Sequence, residues 1–318
     1  MVLLFYKYVR LENPAEIAAA QRRLCHALRL KGRILVAHEG INGTLAGSEA
    51  AVEAYQVELR KDVLVGDVVF KTGHGDADSF PRLTVKVRKE IVSLGLSEDV
   101  DPSTSGVRLA AAEWKNMVAD EDVAVVDVRN RYEFEVGRFE GAINAGIEHF
   151  RELPEAIERL AGLKEKKVLM YCTGGVRCEK ASALFKRSGF KRVYQLEGGI
   201  LSYLQAFPDD DQWVGDCFVF DQRMVDPATT PRAPIGRCEH TGQPTRNFVN
   251  CLHDPCHRLF LVAAEALAHN PELALCPHCR ATGLTVGTAD CLANRPVLKK
   301  RPTRRRTPRN SGIPLIPA

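Results

Sequence analysis

The sequence predicts an α/β protein built of three units, and three observations carry that prediction. Residues 1 to 95 read strand–helix–strand–strand–helix–strand. Residues 113 to 236 alternate apolar strands with helices. Residues 237 to 294 hold six of the chain's ten cysteines. Two or three domains are what 318 residues allow. A hydrophobic content of 45% and a charged content of 26% support well-packed cores. A net charge of only +4 argues against the whole chain acting as an electrostatic nucleic-acid binder. No apolar run approaches the roughly 20 residues of a membrane helix, and the start, Met1 to Lys7, is charged too soon for a signal peptide. A cytoplasmic protein without a membrane partner is expected. In that compartment cysteines serve metal binding or catalysis and not disulfides.

In the first unit, Leu3 to Val9 alternates like a strand. Pro14 to Leu30 is an amphipathic helix with Ile17, Leu24, Ala27 and Leu28 on one side, ended by Gly32. Arg33 to Ala37 is a second strand. His38 and Glu39 precede a Gly-Ile-Asn-Gly turn that leads into a third. The pair reads as turn chemistry or as an acid–base pair. Ser48 caps a helix running to about Arg60, and Val68 to Lys71 and Leu83 to Val87 are further strands. This order is that of a ferredoxin-like (acylphosphatase-like) α+β domain. Lys86, Arg88 and Lys89 read either as phosphate contacts or as a solvated strand face.

Residues 96 to 112, with Asp101-Pro-Ser-Thr-Ser-Gly106, read as a linker. Trp114 to Val118 then forms a short helix, and Val123 to Arg129 an apolar strand ending in Asp127 and Arg129. The central signal is Tyr171-Cys-Thr-Gly-Gly-Val-Arg-Cys-Glu-Lys180. An apolar strand, Val168 to Tyr171, precedes it, and a helix ending near Gly189 follows. Cys172 therefore sits where a parallel strand stops, before a glycine loop and a helix N-terminus. Backbone N–H groups converge there and the helix dipole adds positive potential. A thiolate is stabilised at such a point and its pKa falls. Arg192 to Leu196 is another parallel strand. Strands and helices in alternation imply a parallel sheet covered on both faces, with ligands at the strand carboxyl ends.

The loop resembles the active-site loop of the rhodanese family. Asp127-x-Arg129, Gly141-Ala-Ile-Asn144 and Glu197-Gly-Gly-Ile200 stand in the order that family has. Arg138 occupies a place where the family usually has His. The resemblance makes Cys172 the catalytic cysteine, carrier of a persulfide, and Arg177 the residue closing the ring. Thr173, Gly174, Gly175 and Val176 are its substrate-binding loop. Asp127 and Arg129 join them as substrate contacts, or form a salt bridge holding the loop. Only four residues separate Cys172 from Arg177. That is one fewer than in the phosphate-cradling loop of dual-specificity phosphatases, and the shorter ring suits sulfur. The wording CTGGVRCEK, with EGINGTLAG at residues 39 to 47 and CFVFD at 217 to 221, is similar to the bacterial tRNA uridine-34 hydroxylase family. The resemblance spans about residues 2 to 280.

That family implies oxygen-dependent formation of 5-hydroxyuridine at the wobble position, with tRNA bound at its anticodon region. It also implies molecular oxygen and a reductant that the sequence does not identify. A thiolate adding to uridine C6 makes C5 electron-rich toward an oxidant. Cys178, on the first helical turn, is placed to resolve an oxidised or persulfidated Cys172. Two other readings stay open: a sulfurtransferase carrying a cysteine persulfide, and a non-enzymatic tRNA-binding adaptor.

The central unit is expected as a rhodanese domain with a C-terminal extension over 113–236, in whose apolar strand Cys217 is a core residue. The third unit, 237–294, is a small zinc-type domain. Cys251-x4-Cys256 and Cys276-x2-Cys279 have the spacing of a tetrahedral site for one zinc ion. His240, His253, His257 and His278 are substitutes, and metal-free thiols are the alternative. Residues 295–318 form a basic tail, Lys299 to Arg309 above all. It is expected to be disordered, and either solvated or in contact with RNA phosphates.

Overall fold

A computed structural model describes residues 1–96, 100–226 and 232–286. The basic tail and Cys291 lie outside the described residues.

The first domain contains β1 (Val2–Tyr8), α1 (Pro14–Ala27), β2 (Lys31–Ala37), β3 (Gly40–Ala46), α2 (Glu49–Leu59), β4 (Val69–Gly73) and β5 (Leu83–Val87). The strands form one sheet in the order β4-β1-β3-β2-β5, antiparallel except for the β2–β5 pair. Ser48 caps α2 through the Ala51 N–H, as its residue type predicts. Two local expectations are corrected. The helix α1 ends at Ala27 with Arg29 in the left-handed region (φ 55°), so Gly32 lies inside β2. The Gly-Ile-Asn-Gly segment is not a turn but the start of β3. The turn is His38-Glu39, because Ala37 already pairs with Gly40.

Strand periodicity decides how this domain meets the next. Leu3 and Phe5 of β1 pack with Ile34, Ile41, Val52 and Tyr55 in the helix-covered core. Leu4, Tyr6 and Tyr8 alternate to the opposite face. That face covers the second domain.

The second domain has β6 (Val107–Leu109), α3 (Ala111–Met117), β7 (Val123–Asp127), α4 (Arg131–Val136), β8 (Gly137–Phe139), β9 (Ile143–Asn144), α5 (Leu153–Arg159), β10 (Lys167–Tyr171), α6 (Val176–Arg187), β11 (Arg192–Leu196) and α7 (Gly199–Ala206). A parallel sheet runs β6-β11-β10-β7-β9. β6 falls inside the stretch expected as a linker. Three residues are too few to show a strand period, and only pairing with Tyr194–Leu196 defines it. Residues of β10 alternate between two cores. Val168, Met170 and then Cys172 join one, and Leu169 and Tyr171 the other. Both faces are thus buried, as the unbroken apolar run required.

Short pairs follow: β12 (Trp213–Gly215) on β8, and β13 (Cys217–Phe218) with β14 (Val225–Asp226). The third unit is a hairpin of β15 (Phe248–Asn250) and β16 (Leu259–Leu261), followed by α8 (Ala264–His269) and α9 (Pro277–Ala281). No helix among the described residues is long and apolar enough to cross a membrane.

Candidate active site

Cys172 stands one residue past β10 and four before the first residue of α6. Gly175, at the N-cap of α6, takes φ 98°, which points its N–H back at the sulfur. That N–H donates to Cys172 Sγ at 3.2 Å. The residue is fully buried. Burial pushes the Cys172 thiol up. A hydrogen bond from Cys178, the Arg177 guanidinium and the N–H groups of Cys178 and Arg177 outweigh it, and the net pKa falls to about 5. Cys178 moves the other way, raised by burial and by its bond to Cys172. It keeps its proton and donates it. Cys25 and Cys217 are buried without such partners, and burial pushes both up to about 12. The loop, not burial, makes the anion.

Arg177 does not point at an open ring. Its guanidinium forms a two-pronged pair with Glu133, at 2.7 and 2.8 Å, and donates to Thr173 Oγ1 at 3.1 Å. Thr173 in turn donates to Glu133 Oε1 at 3.1 Å. Against the burial that would raise it, Arg177 holds the Glu133 carboxyl below its ordinary value. The sequence reading did not assign Glu133. Its carboxylate also accepts the Asn130 N–H at 3.1 Å, as a residue in the first turn of a helix does.

Asp127 and Arg129 turn to each other. Both are wholly buried, paired at 2.6 Å, and Arg129 also donates to the Gly137 carbonyl at 2.6 Å. Trp213 and Tyr171 lie against the guanidinium. Of the two readings open at these positions, the geometry is that of a salt bridge holding the strand end.

The back of the loop is fixed by α7. Ile200 N–H donates to the Cys172 carbonyl at 3.0 Å, and Leu201 N–H to that of Thr173 at 3.1 Å. This approach needs Gly199, at φ 68°. A Cβ there would lie 2.5 Å from the Cys172 oxygen.

The first domain supplies the front. Lys71 Nζ donates to the Gly174 carbonyl at 2.5 Å, Tyr8 Oη to that of Val176 at 3.1 Å, and Tyr6 Oη to Glu179 Oε1 at 3.1 Å. Lys180 bonds Glu39 Oε2 and Glu90 Oε1, each at 2.8 Å. Glu39 also accepts the Ile91 N–H, and His38 Nδ1 meets the Leu11 carbonyl. The His38-Glu39 pair is turn and interface chemistry. Burial draws the Lys71 ammonium below its ordinary value, while the Cys172 thiolate and Glu179 favour its charge. A cleft of about 1010 Å³ opens between the two domains, and Gly175 and Gly198 are among the residues that line it. Cys172 does not line it. Gly175, whose N–H donates to the buried sulfur, does.

Far along the chain, Cys251, Cys256, Cys276 and Cys279 place their sulfurs within 4.8 Å of one another. The Cys256–Cys276 separation is 3.8 Å, and a tetrahedron of zinc–sulfur bonds has an edge of about 3.8 Å. The donor set fits a metal. The four histidines offered as substitutes are not in it. His253 Nδ1 instead lies 3.3 Å from Cys279 Sγ, as a neighbour to the set. Cys238 stays outside it among the described residues.

Comparison with known proteins agrees with this architecture. Residues 1–91 match the UPF0176 acylphosphatase like domain, 110–206 the Rhodanese-like domain, and 214–280 the Rhodanase C-terminal family. The chain is similar to a tRNA uridine(34) hydroxylase of Bacillus cereus (strain AH820), 41% identical over 284 residues, or 88% of each chain. A protein of the same name from Bacillus thuringiensis (strain Al Hakam) matches with the same identity and coverage. Identity at that level across all three units places this chain in the tRNA uridine(34) hydroxylase family.

Proposed function

We propose that this protein is an oxidoreductase that converts uridine 34 of tRNA to 5-hydroxyuridine with molecular oxygen. One observation carries the chemistry: a buried cysteine held as a thiolate by loop amides and a protonated thiol neighbour. The substrate comes from the relatives' name. Addition of the sulfur to C6 of the uracil ring puts an electron pair on C5. C5 takes one oxygen atom, its hydrogen leaves as a proton, and departure of sulfur restores the 5,6 double bond. The other oxygen atom leaves as water, using two electrons and two protons from a reductant. Arg177, fixed by Glu133, holds the loop's charge balance.

A persulfide on Cys172 is a second form of the same group. A terminal sulfur about 2 Å beyond Sγ would extend the reach of the buried group. Sulfurtransfer is the rival activity on this site. In the third unit, the four cysteines would hold one zinc ion, which folds that unit.

The test is mass spectrometry of tRNA nucleosides from a deletion strain carrying wild-type protein or Cys172→Ser. The reading expects 5-hydroxyuridine with the former and none with the latter. Equal modification by the Cys172→Ser protein ends the cysteine mechanism. Unchanged modification in the deletion strain leaves the tRNA-binding adaptor. Thiocyanate formation from thiosulfate and cyanide, without 5-hydroxyuridine, would assign the sulfurtransferase.

A further inference from the structure

We propose that the cleft between the first two domains takes the uracil base, and that Gln195 is the residue that distinguishes uracil from cytosine. The proposal rests on the uridine reading above and names the pocket for it.

The cleft is large enough for a nucleotide. Tyr6 and Tyr8 of β1 line it, bringing aromatic rings of the kind bases stack on, with Lys71 Nζ over the Tyr6 ring at 4.9 Å. The carboxyl ends of β6 and β11 line it too, where parallel sheets bind ligands. Arg108 and Gln195 stand there. Gly175, whose N–H holds Cys172 Sγ, also lines the cleft, which brings one wall of it next to the sulfur's own hydrogen-bond donor. Lys89 also lines the cleft and carries charge suited to a phosphate, while Lys7 and Arg10 there are paired with Asp67 and Glu12.

Gln195 is 2% exposed. Its amide nitrogen donates to Glu179 Oε2 at 3.0 Å, and approaches Ser105 Oγ and the Gly106 carbonyl at 3.3 and 3.4 Å. An acceptor-only carboxylate and a carbonyl fix which end of the side chain is nitrogen. Glu179 cannot turn away, because Tyr6 Oη and Arg108 Nη2 donate to it at 3.1 and 2.9 Å. The other end, Oε1, is therefore oxygen, and it is buried with no hydrogen-bond partner among the described residues. A buried orphan acceptor is costly unless something donates to it.

Uracil carries a donor, N3–H, between two carbonyls. Cytosine has a lone pair at N3. The Gln195 oxygen accepts from the first and repels the second. A site built to hydrogen-bond its ligand rejects an analogue that leaves its buried groups unpaired.

The experiment uses the full chain and anticodon stem-loop RNAs with uridine, cytidine or 3-methyluridine at position 34. Binding is read by fluorescence anisotropy and hydroxylation by single turnover. Wild type should bind the uridine RNA about tenfold tighter than the other two, the size of one lost hydrogen bond. Gln195→Met, checked for folding by its melting curve, should bind all three alike. Gln195→Asn, which retracts the oxygen by one methylene, gives the same result if Gln195→Met does not fold. Equal wild-type binding of uridine and 3-methyluridine RNAs overturns the assignment without any variant. So does a folded Gln195→Met that keeps the preference. Failure of wild type to hydroxylate the uridine RNA with oxygen and reductant present overturns the uridine reading instead.

Discussion

Glu133 and Arg177 form a two-pronged ion pair, 2.7 and 2.8 Å long, that joins α4 to the first turn of α6. The Glu133 side chain is wholly buried and that of Arg177 nearly so. Removing one partner leaves the other's charge in a dry site. Glu133→Ala should destabilise the protein by about 3–5 kcal/mol. Glu133→Gln, which keeps a hydrogen bond, should cost less. Urea denaturation checks both. A loss below about 1 kcal/mol for Glu133→Ala would show that Arg177 has another anchor.

Gly199→Ala should act on catalysis from outside the loop. The new methyl group meets the Cys172 and Thr173 carbonyls at 2.5 and 2.6 Å, so either the loop or α7 shifts. Displacing the amides around the sulfur should lower 5-hydroxyuridine formation by roughly tenfold to a hundredfold. Single-turnover assay on tRNA measures it. Full activity would mean that the loop does not depend on α7.

The outline of the fold was legible in the sequence wherever a pattern was local. The apolar run before Cys172, the glycines after it and the cysteine spacings each announce their own structure. What escaped was pairwise and distant. Lys71 meets Gly174 across 103 positions and Tyr6 meets Glu179 across 173. A signal was nevertheless present in β1. Apart from Lys7, Val2-Leu-Leu-Phe-Tyr-Lys-Tyr8 is apolar or aromatic on both faces, and a strand of that kind is covered on both sides. Glu133 was hidden for the same reason, since its partner Arg177 lies 44 positions away.

Lys180 ties the first domain to α6. It is 3% exposed and faces Glu39, Glu90 and the Val92 carbonyl. Lys180→Met should cost about 2 kcal/mol or more, because two carboxylates are left facing each other without a counter-charge. The loss should be recovered in part by Lys180→Met combined with Glu39→Gln. Thermal unfolding of the single and double variants tests this. Additive losses would show that Glu39 and Lys180 are not coupled.

The third unit should depend on metal. Purified protein should carry about one zinc per chain, and Cys276→Ser should carry almost none. Elemental analysis reads the metal, and limited proteolysis should cut the apoprotein within the 237–286 region first. A metal-free protein that resists proteolysis there would show that the four thiols pack without an ion.

The central claim is that the loop holds Cys172 as an anion. A thiol whose folded pKa is depressed adds stability that is full above its unfolded pKa, near 8.5, and is lost as pH falls toward the folded value. The direct measurement is the thiolate absorbance at 240 nm, titrated for wild type and subtracted against Cys172→Ser. The account predicts a step with its midpoint near pH 5, moved upward in Cys178→Ala, which lacks the donated S–H. A midpoint at the value of a free thiol, unmoved by Cys178→Ala, would contradict it.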